Sequence, residues 1–148
     1  TRYAGKPQEV RALNAYIKLM RAAGSVSTRT SRHLGSAGLT LGQFGALEAL
    51  YHLGPLCQRA LGEKLLKSGG NMVVVVDNLE KRGLVRRQRS GEDRRFVTVH
   101  LTRRGRRLVR QLFPRHARGI VEEMGVLTPA QQDQLGRLCR RLGLGVKR

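Results

Sequence analysis

Along most of the chain, apolar residues recur every three or four positions, and over one short stretch they alternate with polar ones. Val10, Leu13, Ile17 and Met20 fall at helical spacing with basic residues between them, the pattern of an amphipathic helix. Gly24 and the hydroxyl-rich run "SVSTRTSRHL" are expected to weaken that helix, or to let it approach a partner closely. The next stretch is "GLTLGQFGALEALYHLG". Thr40 can cap a helix with Gln43 three residues on, as a capping box requires. Leu41, Phe44, Leu47, Leu50 and Tyr51 form its stripe, and Gly54-Pro55 ends it.

A short helix follows over about 58–66, with Leu61 and Leu65 inward. "KSGGN" reads as a turn, and Ser68 can cap a further helix over about 70–82. Four consecutive valines favour a strand by propensity. The spacing of Met72, Val75, Val76 and Leu79, with Gly83 as a natural C-terminal cap, predicts a helix instead. From Leu84 the period becomes two. Residues 84–89 and 96–101 read as strands, with Val97, Val99 and Leu101 on one face and Phe96, Thr98 and His100 on the other. "SGEDRR" is the loop between them. Thr102 caps a long helix to about residue 124, with Leu108, Leu112, Ile120 and Met124 as its buried edge and a kink expected at Pro114. In "LTPAQQDQL", Thr128, Pro129 and Gln131 start a last helix, lined on one side by Leu135, Leu138 and Leu142. There is no internal repeat and no low-complexity linker.

Two short helices joined by a tight turn and followed by a hairpin make a winged helix-turn-helix. The fold class is therefore mainly α with a small β-wing. One domain over 1–148 is expected: a lobe over 40–102 flanked by helical segments over 8–35 and 103–148. A helix of this kind fits the major groove of duplex DNA. The start of the 70–82 helix, with Ser68 and Gly70, brings backbone N–H groups toward phosphate. Arg86, Arg87, Arg89, Arg94 and Arg95 all lie on the hairpin.

Charge strengthens this reading. The chain carries 29 Lys and Arg against 10 Asp and Glu, a net charge of +19. Arginine-rich composition from a GC-rich genome accounts for many of the cations but not for so few acids. The balance favours a polyanionic partner, nucleic acid before membrane. With three Phe, three Tyr and no Trp there are few aromatics for stacking on unpaired bases, which disfavours an RNA module. No apolar run approaches the roughly 20 residues of a membrane span. The short polar stretch 1–7 does not read as a secretory leader. Cys57 and Cys139 have no ligand spacing, and His33 and His52 no metal-binding pattern, so no metal or cofactor is expected and a reducing cytoplasm suits the chain. No P-loop, GxSxG, HExxH or tuned carboxylate pair suggests an enzyme.

The motifs "LGEKLLKSGGNMVVVVDNLEKRGLV" and "GEDRRFVTVHLTRRG", with "LTPAQQDQLGRLCRRL" after them, resemble the MarR family of bacterial transcription regulators over nearly the whole chain. The family's Asp-x-Arg wing motif falls on Asp93 and Arg95. The resemblance implies that Asp93 braces the wing, so that Arg94 or Arg95 points into the minor groove. A solvated turn with adjoining charges is the plainer alternative. Arg86 and Arg87 are expected at phosphate. Gly69, Gly70, Val73 and Val74 depart from the polar reading face common in the family. Asn71 can contact adenine and Val73 or Val74 a thymine methyl, although Asn71 can equally serve only to cap its helix.

The resemblance further implies a homodimer on a pseudo-palindromic DNA site, interlocked through its terminal helices. It implies a regulator, most simply a repressor, released by a small aromatic effector. Within the family the chain resembles a branch responsive to quinones and aromatic compounds. Candidate effector contacts are Tyr16, His33, Phe44 and Tyr51, each of which can instead serve as core or surface. Two alternatives remain. One is a non-specific architectural DNA binder. The other is a thiol sensor through Cys57, which lies at the start of a helix near Arg59, whereas the family's peroxide sensors keep their cysteine near the first helix. Cys139 falls on a helical stripe and reads as packing.

Overall fold

A computed structural model of the chain describes residues 1–65, 69–89, 91–93 and 95–145. Helix α1 (Pro7–Ser31) leads through a 3-10 turn (Arg32–Ala37) to α2 (Leu41–Leu53). Strand β1 (Leu56–Cys57), α3 (Gln58–Lys64) and α4 (Gly69–Lys81) follow. Strands β2 (Val85–Arg89) and β3 (Val97–Leu101) form the wing, and α5 (Arg103–Met124) and α6 (Pro129–Leu144) complete the described chain. The sheet is antiparallel in the order β1-β3-β2, with Leu56 opposite Val99 and Arg87 opposite Val99 from the other side.

The core lies between α2, α3, α4 and the wing base. Leu34, Phe44, Leu47, Leu61, Met72 and Leu79 are fully buried in it. The valine run is helical as its spacing predicts: Met72, Val76 and Leu79 point inward, while Val73 and Val74 stay exposed. The capping boxes at Thr40 and Thr128 are both formed.

Several expectations are corrected. Gly24 and the hydroxyl-rich run do not weaken α1. Thr28 Oγ1 donates to the Gly24 carbonyl at 2.9 Å and Thr30 Oγ1 to that of Val26 at 2.8 Å, so the hydroxyls are satisfied inside the helix. Strand β1 is additional: two residues have no periodicity to detect. Phe96 lies outside β3 and is exposed. Helix α5 continues through Pro114, and its buried residues are Gly105, Val109 and His116 rather than Ile120, which is exposed. Leu41 leaves the α2 stripe for the surface, and Cys139 is exposed rather than packed.

One junction fixes the wing on the helices. Gly83 has φ +69° and closes α4: its N–H donates to Glu80 O at 2.9 Å and that of Leu84 to Leu79 O at 3.0 Å. Thr102 Oγ1 donates to the Gly83 carbonyl at 2.7 Å and Thr102 N–H to the Leu84 carbonyl at 3.1 Å. The same Thr102 oxygen accepts the Gly105 N–H at 3.0 Å, starting α5. Gly105 packs so tightly on this crossing that a Cβ there would overlap the Leu84 carbonyl. Gly105→Ala is therefore expected to destabilise the fold by about 2–3 kcal/mol, in the range of overpacked cores. Urea unfolding of the purified variant measures it, and an unchanged midpoint would contradict the close approach.

Candidate nucleic-acid interface

The exposed side of α4 carries Asn71, Val74 and Asn78. Asn71 lies in the first turn of α4, which begins at Gly69. Gly70 lies in that turn too. Val73, although exposed, lines a cleft that opens between α3 and the wing, shared with Cys57, Arg59, Glu63, Arg95 and Phe96. Arg82 anchors the far end of α4, donating to the carbonyls of Ala37 and Gly38, each at 2.8 Å. The helix is thus fixed at its C-terminal end to the turn before α2. The expected contacts of Ser68 and Arg94 lie outside the described residues.

At the wing tip, Asp93 and Arg95 are paired. Arg95 Nε and Nη2 donate to the Asp93 carboxylate at 3.1 and 3.0 Å, and the Arg95 backbone N–H donates to it at 3.0 Å. Those hydrogen bonds hold the Asp93 carboxyl below its ordinary range and raise Arg95 above its own. The guanidinium still stands 89% exposed. The pair lies at the surface, so it contributes little to stability; its hydrogen bonds restrain the Arg95 side chain against Asp93.

The two wing arginines expected at phosphate separate. Arg86 is exposed, 3.4 Å from Gln88 Oε1. Arg87 is not available in the same way, because strand alternation puts it on the inner face with buried Val85. Its Nη1 lies 2.6 Å from Asp77 and 3.2 Å from Glu80, its Nε donates to Gln58 Oε1 at 3.1 Å, and its Nη2 to the Val73 carbonyl at 3.3 Å.

The candidate effector contacts do not form one site. Tyr16 is 60% exposed on α1, more than a dozen residues before the 3-10 turn. Tyr51 packs against α5, with Arg106 over its ring at 5.5 Å and Arg110 donating to its hydroxyl at 3.4 Å. His33 and Phe44 do come together, around a residue that sequence reasoning missed. His116 of α5 is buried, its ring 5.2 Å from His33 and 4.8 Å from Phe44. His33 Nε2 and His116 Nδ1 are both buried without a hydrogen-bond partner. Phe44 itself is fully buried core. Cys57 precedes α3 as its N-cap, and its Sγ accepts the Ala60 N–H at 3.4 Å.

An outward helix backed by a second helix, with a braced arginine hairpin beside it, defines a winged helix-turn-helix DNA-binding protein. Among the described residues no helix is long and apolar enough to cross a membrane. A MarR family profile matches residues 37–95. The HTH-type transcriptional regulator MhqR of Bacillus subtilis is 34% identical over 93% of this chain and 94% of its own length. The chain belongs to the MarR family of transcription regulators, a family without enzymatic activity. Among solved structures, Sco3205 of Streptomyces coelicolor in complex with DNA has a TM-score of 0.84 at 26% identity, covering 100% of this chain and 93% of its own. Bordetella bronchiseptica BpsR, whose DNA binding is regulated by 6-hydroxynicotinic acid, has a TM-score of 0.81 at 25% identity, covering 88% and 98%.

His33 has a pH consequence. Burial, then the neighbouring charges of His116 and Arg115, lower the His33 pKa, only partly offset by a backbone hydrogen bond to Thr30. The unfolded chain, titrating near the usual value of about 6.5, then binds the extra proton first. The His33 contribution to stability is complete above that value and lost as pH falls from it toward the folded pKa. Melting temperature is expected to drop as pH falls through and below about 6.5, and less steeply in His33→Gln. Equal slopes in the two proteins would remove His33 as the cause.

Proposed function

We propose that this regulator is a repressor that binds a pseudo-palindromic operator as a homodimer and is released by a small aromatic effector. The observation that carries the DNA-reading half is the pairing of Asp93 with Arg95 beside the exposed face of α4. An arginine restrained before binding loses less freedom on entering a groove. Arg95, with Arg94, reaches the minor groove, where the negative potential suits a guanidinium. Asn71 and Val74 face base edges in the major groove, with Val73 at the margin toward the wing, Ser68 and the Gly70 turn against phosphate, and Arg86 on the flanking backbone.

The segments 8–35 and 103–148 serve as dimerisation arms around the 40–102 lobe. Leu13 and Met20 on α1 and Leu138 and Leu142 on α6 support this, because all four are exposed in the single chain. A second copy covers them and sets two recognition helices about one helical turn apart. A dimer seated across a promoter excludes polymerase by occupancy, which makes repression the simplest outcome.

For the effector, His33 and His116 are the strongest candidates, with Phe44 behind them. Two buried imidazole nitrogens without partners leave hydrogen bonds unmade, which a phenol, quinone or aromatic carboxylate can supply. The regulation of BpsR by a hydroxylated aromatic acid supports that class. The effector must bind the DNA-incompetent spacing of the lobes more tightly than the competent one.

A duplex selected by the wild-type protein from a randomised library provides the operator. Arg95→Ala is expected to weaken operator binding about tenfold, one good groove contact, and to leave the melting temperature unchanged. Undiminished affinity would remove Arg95 from the interface. A panel of catechol, benzoquinone and 6-hydroxynicotinate is expected to contain a compound that releases the wild-type complex but not His116→Phe. Release of both proteins alike would place the effector elsewhere.

A further inference from the structure

We infer that Arg87 is a positioning residue that sets the angle between the wing and the recognition helix, and does so through the two acids that α4 carries. The inference rests on the chain's DNA-reading function and concerns how its two reading elements are held together.

Asp77 and Glu80 are anomalous. They are two of only ten acids in a chain of net charge +19, and they sit on the helix that must approach a polyanion. As free carboxylates they would oppose binding. They are instead turned along the side of α4 that faces β2, where one guanidinium takes both. Arg87 Nη1 is 2.6 Å from Asp77 and 3.2 Å from Glu80. The other Glu80 oxygen accepts the Arg87 backbone N–H at 2.8 Å. That N–H needs an acceptor from outside the sheet, because among the described residues β2 is an edge strand paired with β3 alone. Arg87 Nε reaches Gln58 at the start of α3, and Nη2 reaches the Val73 carbonyl in α4. One side chain therefore joins three elements: the first helix of the helix-turn-helix, the recognition helix and the wing. Its side chain is 21% exposed, against 89% for Arg95.

A planar guanidinium with five donors can serve all these acceptors at once, whereas an ammonium of the same charge cannot. The geometry thus uses Arg87 as a rigid fork and not as a point charge. The guanidinium also offsets part of the acids' negative charge, so they repel phosphate less. Specific binding requires α4 and the wing to engage neighbouring grooves together, so it depends on the fork; attraction to any duplex does not.

The experiment compares affinity for the selected operator with affinity for a random duplex, across salt, after thermal melting has established that each variant is folded. In Asp77→Asn/Glu80→Gln two negative charges near DNA are removed, and simple electrostatics demands tighter binding to both duplexes. The fork demands the opposite on the operator: at least about a tenfold loss, with random-duplex affinity equal or higher. Arg87→Lys, which keeps the charge and is the gentler change, is expected to lose most of the operator preference as well. Its salt dependence on random duplex should match wild type, whereas a lost phosphate contact would lower the slope by about one. Operator affinity that rises or holds in the acid double variant, or full operator affinity in Arg87→Lys, overturns the proposal. Absence of any operator preference in the wild-type protein would count against sequence-specific regulation itself, and so is distinguishable from failure of the fork.

Discussion

The crossing of Gly83, Leu84, Thr102 and Gly105 is the constraint on which the rest of this molecule depends. A two-stranded hairpin is marginal by itself in water. Here its two roots are tied to each other and to two helices within a few residues. Thr102 follows β3, caps α5 and bonds back to the residue that closes α4. The tie works only because position 83 accepts a left-handed backbone and position 105 has no side chain. Once it is made, the root of the wing is held to the end of α4 and the start of α5.

Above that crossing, the few acids are used for geometry. Asp93 orients Arg95 at the tip, and Asp77 with Glu80 engages Arg87 at the base. A further pair, Arg29 with Glu123 at 2.7 Å, links α1 to α5. The surplus of cations supplies attraction to any duplex, which carries no sequence information. Discrimination needs reading groups held at fixed distances from one another. In so basic a chain the informative charges are therefore the negative ones.

The sequence made the elements legible where periodicity was strong. Met72, Val76 and Leu79 were enough to override the strand propensity of four valines, and the capping boxes at Thr40 and Thr128 marked their helices correctly. It failed where the deciding information was tertiary. Two residues of β1 have no period. Pro114 lies inside α5 without ending it. His116, one residue after an arginine on a basic helix, gives no sign that it will be buried against Phe44. Arg87 was readable in principle: it shares strand parity with Val85 and follows two acids spaced i, i+3 on the preceding helix. Grouping it with Arg86 as a surface cation ignored the alternation that separates neighbours in a strand.

The position of the histidine pair gives the proposed regulation a mechanical route. His33 belongs to the turn that continues α1, and His116 lies midway along α5. Helix α5 begins at the Thr102 crossing, so His116 is about 20 Å along the helix from the root of the wing. An effector that fills the unmade hydrogen bonds between these rings would alter the seating of α5 against the end of α1. Because Gly105 and Thr102 pack directly on Leu84, a displacement of α5 would reach β2, and through the proposed Arg87 fork it would reach α4. On the proposed regulation the lobe would then move as one body, with its internal reading geometry preserved. What would change is its spacing from the second lobe of the proposed dimer, to which a palindrome one helical turn in period is sensitive.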